Sequence, residues 1–201
     1  MRNVLFALLL VYGNVLFAQD TTKIALTTGV GIISMPGALS KVLKSSVTFN
    51  SGIELKLKKN WFLQGDVSLN SIGYNQIIRD NPNNYLFEDA NSSLFQVGVS
   101  GGYSFRFLPS KFSLDLYAGP GFQRFGEPRV TNNNAAQITK QNIVFSNTVF
   151  AKIGSRLSYK TNSSLLQTIY IEATYFTSPL HVQAYRLQGF TYCVGTKFSL
   201  M

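Results

Sequence analysis

From Lys23 to Leu200 the chain repeats one arrangement about eight times: a short stretch in which every second residue is apolar. The segment from Val47 to Leu57 is the clearest instance. Val47, Phe49, Ile53, Leu55 and Leu57 share one side with Ser51, while Thr48, Asn50, Gly52, Glu54 and Lys56 share the other. Successive side chains of a strand point to opposite faces, so such a segment has one apolar and one polar face. The pattern predicts strands over 23–34, 47–57, 61–74, 93–107, 112–123, 143–159, 168–177 and 188–200. The fold class that follows is all-β, an eight-stranded antiparallel up-and-down β-barrel.

The connections alternate in length. Lys58-Lys59-Asn60 and Leu108-Pro109-Ser110-Lys111 are tight, and the link at Lys160-Thr161-Asn162-Ser163 is fairly short. The links 35–46, 75–92, 124–142 and 178–187 are longer. Tight turns at one end and long loops at the other are the layout of a barrel that crosses an outer membrane with its tight turns toward the periplasm. Volume sets which face points inward. The strand at 93–107 carries Phe95, Val97, Val99, Tyr103, Phe105 and Phe107 on one side. Gln96, Gly98, Ser100, Gly102, Ser104 and Arg106 lie on the other. An eight-stranded barrel is narrow. It can hold Gly, Ser, Thr and a few long charged chains, but not the apolar set of every strand. Apolar out and polar in makes the chain a transmembrane β-barrel; the reverse would make it a soluble secreted barrel binding an apolar ligand.

The inward face then contains a set of charges. By alternation Glu54, Asp66, Asp115 and Glu172 lie inside with Lys56, Arg106, Lys152, Arg156 and Lys197. Buried charges persist only when paired and hydrogen-bonded, so a network across the lumen is expected to plug it. The alternative is a narrow, porin-like small-solute channel. Aromatic residues fall near predicted strand ends: Trp61, Phe107, Phe112, Tyr159 and Phe198 at the short-turn side, with Phe49, Tyr74, Phe95, Phe122, Phe145, Tyr175 and Phe190 nearer the long loops. Two interfacial girdles are expected of such a barrel. Proline cannot donate to a ladder, so Gly119-Pro120-Gly121 predicts a bulge or bend.

Composition fits the membrane reading. Charged residues are only 13% of the chain, about half the ordinary share, as hydrocarbon-facing surface requires. Met1-Arg2-Asn3, the apolar run Val4 to Val11 and Leu16-Phe17-Ala18 read as a secretory signal, residues 1–18, cleaved near Ala18 and leaving 19–201 as one barrel domain. The formal net charge of +9 falls by one when Arg2 leaves. The excess sits on turns and rims, at Lys58, Lys59, Lys111, Lys160, Lys41, Lys44, Arg124, Arg129, Lys140 and Arg186. There it would meet outer-membrane lipid, lipopolysaccharide included, rather than nucleic acid. Cys193, the one cysteine, reads as a small filler of the last strand.

Val97-Gly98-Val99-Ser100-Gly101-Gly102-Tyr103, Tyr117-Ala118-Gly119-Pro120-Gly121-Phe122 and Ile171-Glu172-Ala173-Thr174-Tyr175 resemble the porin-like outer-membrane β-barrel domain family common in the Bacteroidetes. The resemblance covers nearly all of residues 19–201 and implies an eight-stranded barrel in the cell outer membrane. It also implies handling by the outer-membrane assembly machinery, which reads a terminal aromatic residue. This chain departs from that habit, ending Phe198-Ser199-Leu200-Met201.

Chemistry is sparse. The one histidine, His181, is expected in the last long loop without the neighbouring Ser of a lipid deacylase, and Asp80 and Asp89 fall in another loop. No catalytic, metal or cofactor site is expected: the zinc spacings, the EF-hand, the P-loop and the dinucleotide fingerprint are all missing from the sequence. The expected function is that of a non-catalytic outer-membrane barrel with a structural role or one mediated by its loops.

Overall fold

A computed structural model describes residues 24–74, 77–80, 83–86, 90–107, 111–133, 138–161 and 167–200. The expected leader over 1–18 lies outside them. Among the described residues ten strands follow one another: β1 (Ile24–Ser34), β2 (Ser46–Lys56), β3 (Trp61–Gly73), β4 (Ile77–Asp80), β5 (Asn83–Leu86), β6 (Asn91–Arg106), β7 (Phe112–Asn133), β8 (Ile138–Lys160), β9 (Thr168–Val182) and β10 (Tyr185–Ser199). Eight of them close an antiparallel barrel in the order β1-β10-β9-β8-β7-β6-β3-β2. β4 and β5 pair only with each other, as a small hairpin between β3 and β6. Closure runs from Ala25 opposite Ser199 to Ser34 opposite Phe190, which leaves the barrel wall without an edge.

Alternation sets the faces. Val30, Val99, Val149, Ile153, Ile171 and Val194 are exposed on the outside, while Glu54, Gln64, Gln96, Asp115, Arg156 and Lys197 are buried inside. The tight turn between β2 and β3 places Lys59 and Asn60 at positive φ, a conformation that asparagine tolerates better than most residues. At the short-turn end Trp61 packs edge-on against Tyr103, and Phe112 tilts against Tyr159.

Three expectations need correction. The stretches 124–142 and 178–187 are not long loops. β7 and β8 continue as a two-stranded ribbon to Asn133 opposite Ile138, well past the last pairing of β7 with β6 at Gly126 and of β8 with β9 at Ala151. β9 and β10 turn directly at Gln183 and Ala184, Gln183 taking positive φ. Pro120 makes no bulge. It pairs with Ala151 in unbroken register, and on the β6 side the register is the same before and after it. Only the local rungs are lost, since proline has no N–H to offer there. The register break occurs at Pro179 instead, where Ser178 to Leu180 lie opposite Leu187. Arg186 Nε donates to the Ser178 carbonyl at 2.8 Å and refills that gap. Finally, Tyr74 is no girdle residue: it is buried inside the end of the barrel opposite the tight turns, hereafter the outer end.

Candidate functional site

The lumen is layered along the barrel axis. At mid-height β8 aims Arg156 inward, where it is 1% exposed. Its guanidinium binds Glu172 of β9 at 2.6 Å, Glu54 of β2 at 2.9 Å and the side-chain oxygen of Gln64 of β3 at 2.7 Å. The rings of Tyr117 and Tyr170 lie 5.5 and 4.8 Å from it. Lys197 of β10 bridges Glu54 at 2.7 Å and Asp115 of β7 at 2.9 Å. These five charged groups form one connected network. A second pair, Lys152 of β8 with Asp66 of β3, lies on its outer side. Strand pairing brings some of them together: Arg156 is opposite both Asp115 and Glu172. The contacts of Arg156 with Glu54 and Gln64 cross the lumen and depend on closure.

Lys56 and Arg106 are placed differently from the expected network. They share the inward side but sit at the short-turn mouth, exposed, and pair with no carboxylate among the described residues. The reason is their position at the very ends of β2 and β6, where the barrel opens.

Aromatic rings line the lumen at several heights in a way that alternation alone did not reveal. Phe62 lies opposite Gly102, Tyr117 opposite Gly154, Phe150 opposite Gly121, Phe176 opposite Gly189 and Tyr170 opposite Gly195. Each inward ring lies over the glycine of the next strand, and a Cβ at that glycine would enter the ring. The pairing shields the missing side chain and lets a narrow lumen hold rings. Tyr117 also shares a 2.7 Å hydrogen bond with Thr174. Cys193, buried, accepts from Asn50 Nδ2 at 3.2 Å.

Above the charges lies a neutral polar layer. Ser68 donates to Gln96 at 3.1 Å, and Gln96 donates to Gln123 at 3.0 Å. Between this layer and the Arg156 network a void of about 40 Å³ remains, room for a water or two. The outer end is apolar. Ile33, Ile72, Leu94, Phe125 and Leu187 converge there, and the 3-10 turn Gly37–Lys41 folds Leu39, Val42 and Leu43 onto them as a cap. Tyr74 ties the cap to the wall. Its hydroxyl donates to Glu127 at 3.1 Å and accepts from Gln183 Nε2 at 2.8 Å. Burial pushes that hydroxyl above the ordinary tyrosine range.

At the short-turn end the lumen widens into a vestibule of about 460 Å³ between Glu54, Asp115 and Lys197 on its floor and Trp61 and Phe112 at its rim. His181 sits near the tip of the β9–β10 hairpin, exposed and opposite Arg186. Among the described residues no three His, Cys, Asp or Glu side chains gather to hold a metal ion, and no helix is long and apolar enough to cross a membrane.

No family model matches the sequence, and no curated protein matches it. Solved structures do. Neisserial surface protein A is 10% identical over 90% of this chain and 98% of its own, with a TM-score of 0.62. The fold is the eight-stranded barrel of outer-membrane proteins. The N-terminal β-barrel domain of OprF from Pseudomonas aeruginosa is 12% identical over 90% of this chain and all of its own, with a TM-score of 0.48. Ail, the attachment invasion locus protein of Yersinia pestis, is 13% identical over 89% of this chain and all of its own, with a TM-score of 0.47.

Proposed function

We propose that this chain is a small integral outer-membrane barrel with a closed lumen and no catalytic role, which contributes envelope structure or contacts made by its outer ribbon and loops. The observation that carries the reading is the combination of a wall that exposes aliphatic and aromatic side chains with an interior that pairs its charges and is capped by an apolar plug. A water-facing wall of that kind would aggregate; in acyl chains it is solvated. This weighs against the soluble secreted barrel. The interior weighs against the small-solute channel, because three successive levels fill the axis. The reading includes export by the leader ending near Ala18, insertion by the outer-membrane assembly machinery, and contact of the basic rims with lipid, lipopolysaccharide included. It includes kinship with the Bacteroidetes porin-like barrels, on the three motifs quoted above. His181, exposed on a hairpin without an acid or hydroxyl partner among the described residues, is given no chemical task.

Two measurements test it together. Electrophoresis of unboiled and boiled detergent extracts should show a heat-modifiable shift. Planar bilayers doped with the folded protein should show no steady conductance. Release from membranes by carbonate alone would defeat the integral reading, and regular openings would defeat the closed one.

A further inference from the structure

We propose that the vestibule at the short-turn end is a binding site for a phosphate-bearing dianion. Its volume of about 460 Å³ is that of a small-ligand pocket. It is also blind, because Lys197 and the Arg156 network close its floor. Five basic side chains line it against two acidic ones. The two acids, Glu54 and Asp115, are already engaged by Lys197, and Glu54 by Arg156 as well. Three bases around the mouth are not so engaged. Lys56, Arg106 and Lys160 face the cavity from three different strands, with no carboxylate partner among the described residues. Lys56 lies close enough to feel the attraction of Glu54 and, after it, the repulsion of Lys197 and Arg106. Like charges gathered around one concavity focus their field into it and oppose folding unless a counter-ion takes the site.

A second observation is independent of charge. Ser158 Oγ lines the same cavity, in a residue only 3% exposed, and has no hydrogen-bond partner among the described residues. Buried hydroxyls are nearly always satisfied, and this one offers a donor where the cations would hold an anion. The arginine supplies a planar fork and the lysines supply point charges, the combination that suits phosphate oxygens. A dianion gains from every cation around the mouth, so a phosphate monoester or diphosphate is favoured over a single carboxylate. The group can arrive on a soluble molecule or as the headgroup of a phosphorylated lipid, since Trp61 and Phe112 place apolar edges at the rim.

The test uses refolded protein in zwitterionic micelles, titrated calorimetrically with inorganic pyrophosphate at low salt. In parallel, nanodiscs of phosphatidylcholine with and without phosphatidic acid report a lipid-borne phosphate. One saturable site is expected. The double variant Lys56→Gln with Arg106→Gln should weaken it at least tenfold, and Arg124→Gln at the other end of the barrel should leave it unchanged. Ser158→Ala should weaken it several-fold without altering its salt dependence, because a neutral hydroxyl contributes no screened charge. Lys160→Gln provides a third variant at an exposed position, and the heat-modifiable shift verifies folding of each. Saturation by pyrophosphate assigns a soluble source and saturation by phosphatidic acid alone assigns a headgroup; either supports the site. Absence of saturation in both arms, or equal affinity in the double variant, overturns it.

Discussion

Arg156 is the residue whose loss the lumen should tolerate least. Replacing it with methionine keeps much of its volume and removes three hydrogen bonds, to Glu172, Glu54 and Gln64. The two carboxylates do not suffer equally. Glu54 keeps Lys197 at 2.7 Å, whereas Glu172 has no second basic partner among the described residues. The cost therefore concentrates on one largely buried carboxylate left without a cation, with the Tyr117 hydroxyl still beside it. Breaking a buried pair by removing one partner costs about 3–5 kcal/mol. Neutralising the survivor should return part of that, so Arg156→Met with Glu172→Gln should be about 2 kcal/mol more stable than Arg156→Met alone. In the parent, Glu172→Gln should destabilise instead, because Arg156 there loses its shortest contact. The opposite signs of the same substitution in two backgrounds make a double-mutant cycle the natural readout. Reversible urea unfolding in phospholipid vesicles, followed by the fluorescence of the one tryptophan, Trp61, measures all four corners. An Arg156→Met protein within about 1 kcal/mol of the parent would refute the claim that the ionic network supports the barrel. So would a Glu172→Gln substitution that destabilises in both backgrounds.

Gly154→Val should force Tyr117 off its shelf and break the bond to Thr174, costing about 1–3 kcal/mol as overpacking does; Ala118→Val, on the exposed outer face beside it, should be close to neutral in the same unfolding assay. Ile153 is 60% exposed on the outer wall, so Ile153→Lys should cost about 2–4 kcal/mol in vesicles; an unchanged midpoint would mean that this face does not meet hydrocarbon. Tyr74, beyond the end of β3, has its hydroxyl pushed above the ordinary value of 10.0 by burial. A raised acid contributes its stability below the unfolded value and loses it as pH climbs above that value. The parent should therefore lose stability above about pH 10 more steeply than Tyr74→Phe, and parallel curves in both proteins would show that the cap does not depend on this group.

Period-two alternation carried most of the wall. All eight barrel strands, their antiparallel order and their inward faces could be read along the chain, because in a strand the face of a side chain depends only on the parity of its position. Ribbon and hairpin ends were not legible in the same way. Above the barrel β7 and β8 need satisfy only each other, so Gly126, Pro128 and the polar run after Val130 look like loop residues while their backbone stays paired. Pro179 was equally opaque, since its break in the ladder is refilled from a residue across the hairpin.

What the sequence by itself determined is therefore the set of side chains that share the lumen: parity places Glu54, Arg156, Glu172, Asp115 and Lys197 on one side of their strands whatever the barrel's details. What only the tertiary structure decided is which of them meet. Register lays Tyr117 over Gly154 and sets Arg156 opposite Glu172, and closure of β1 on β10 brings Glu54 across the lumen to Arg156. Height along the axis leaves Lys56 and Arg106 in an open mouth rather than in the network. The physical reason is that parity is a local property of one strand, whereas depth and partnership depend on stagger between strands, which is set only when the ring is closed.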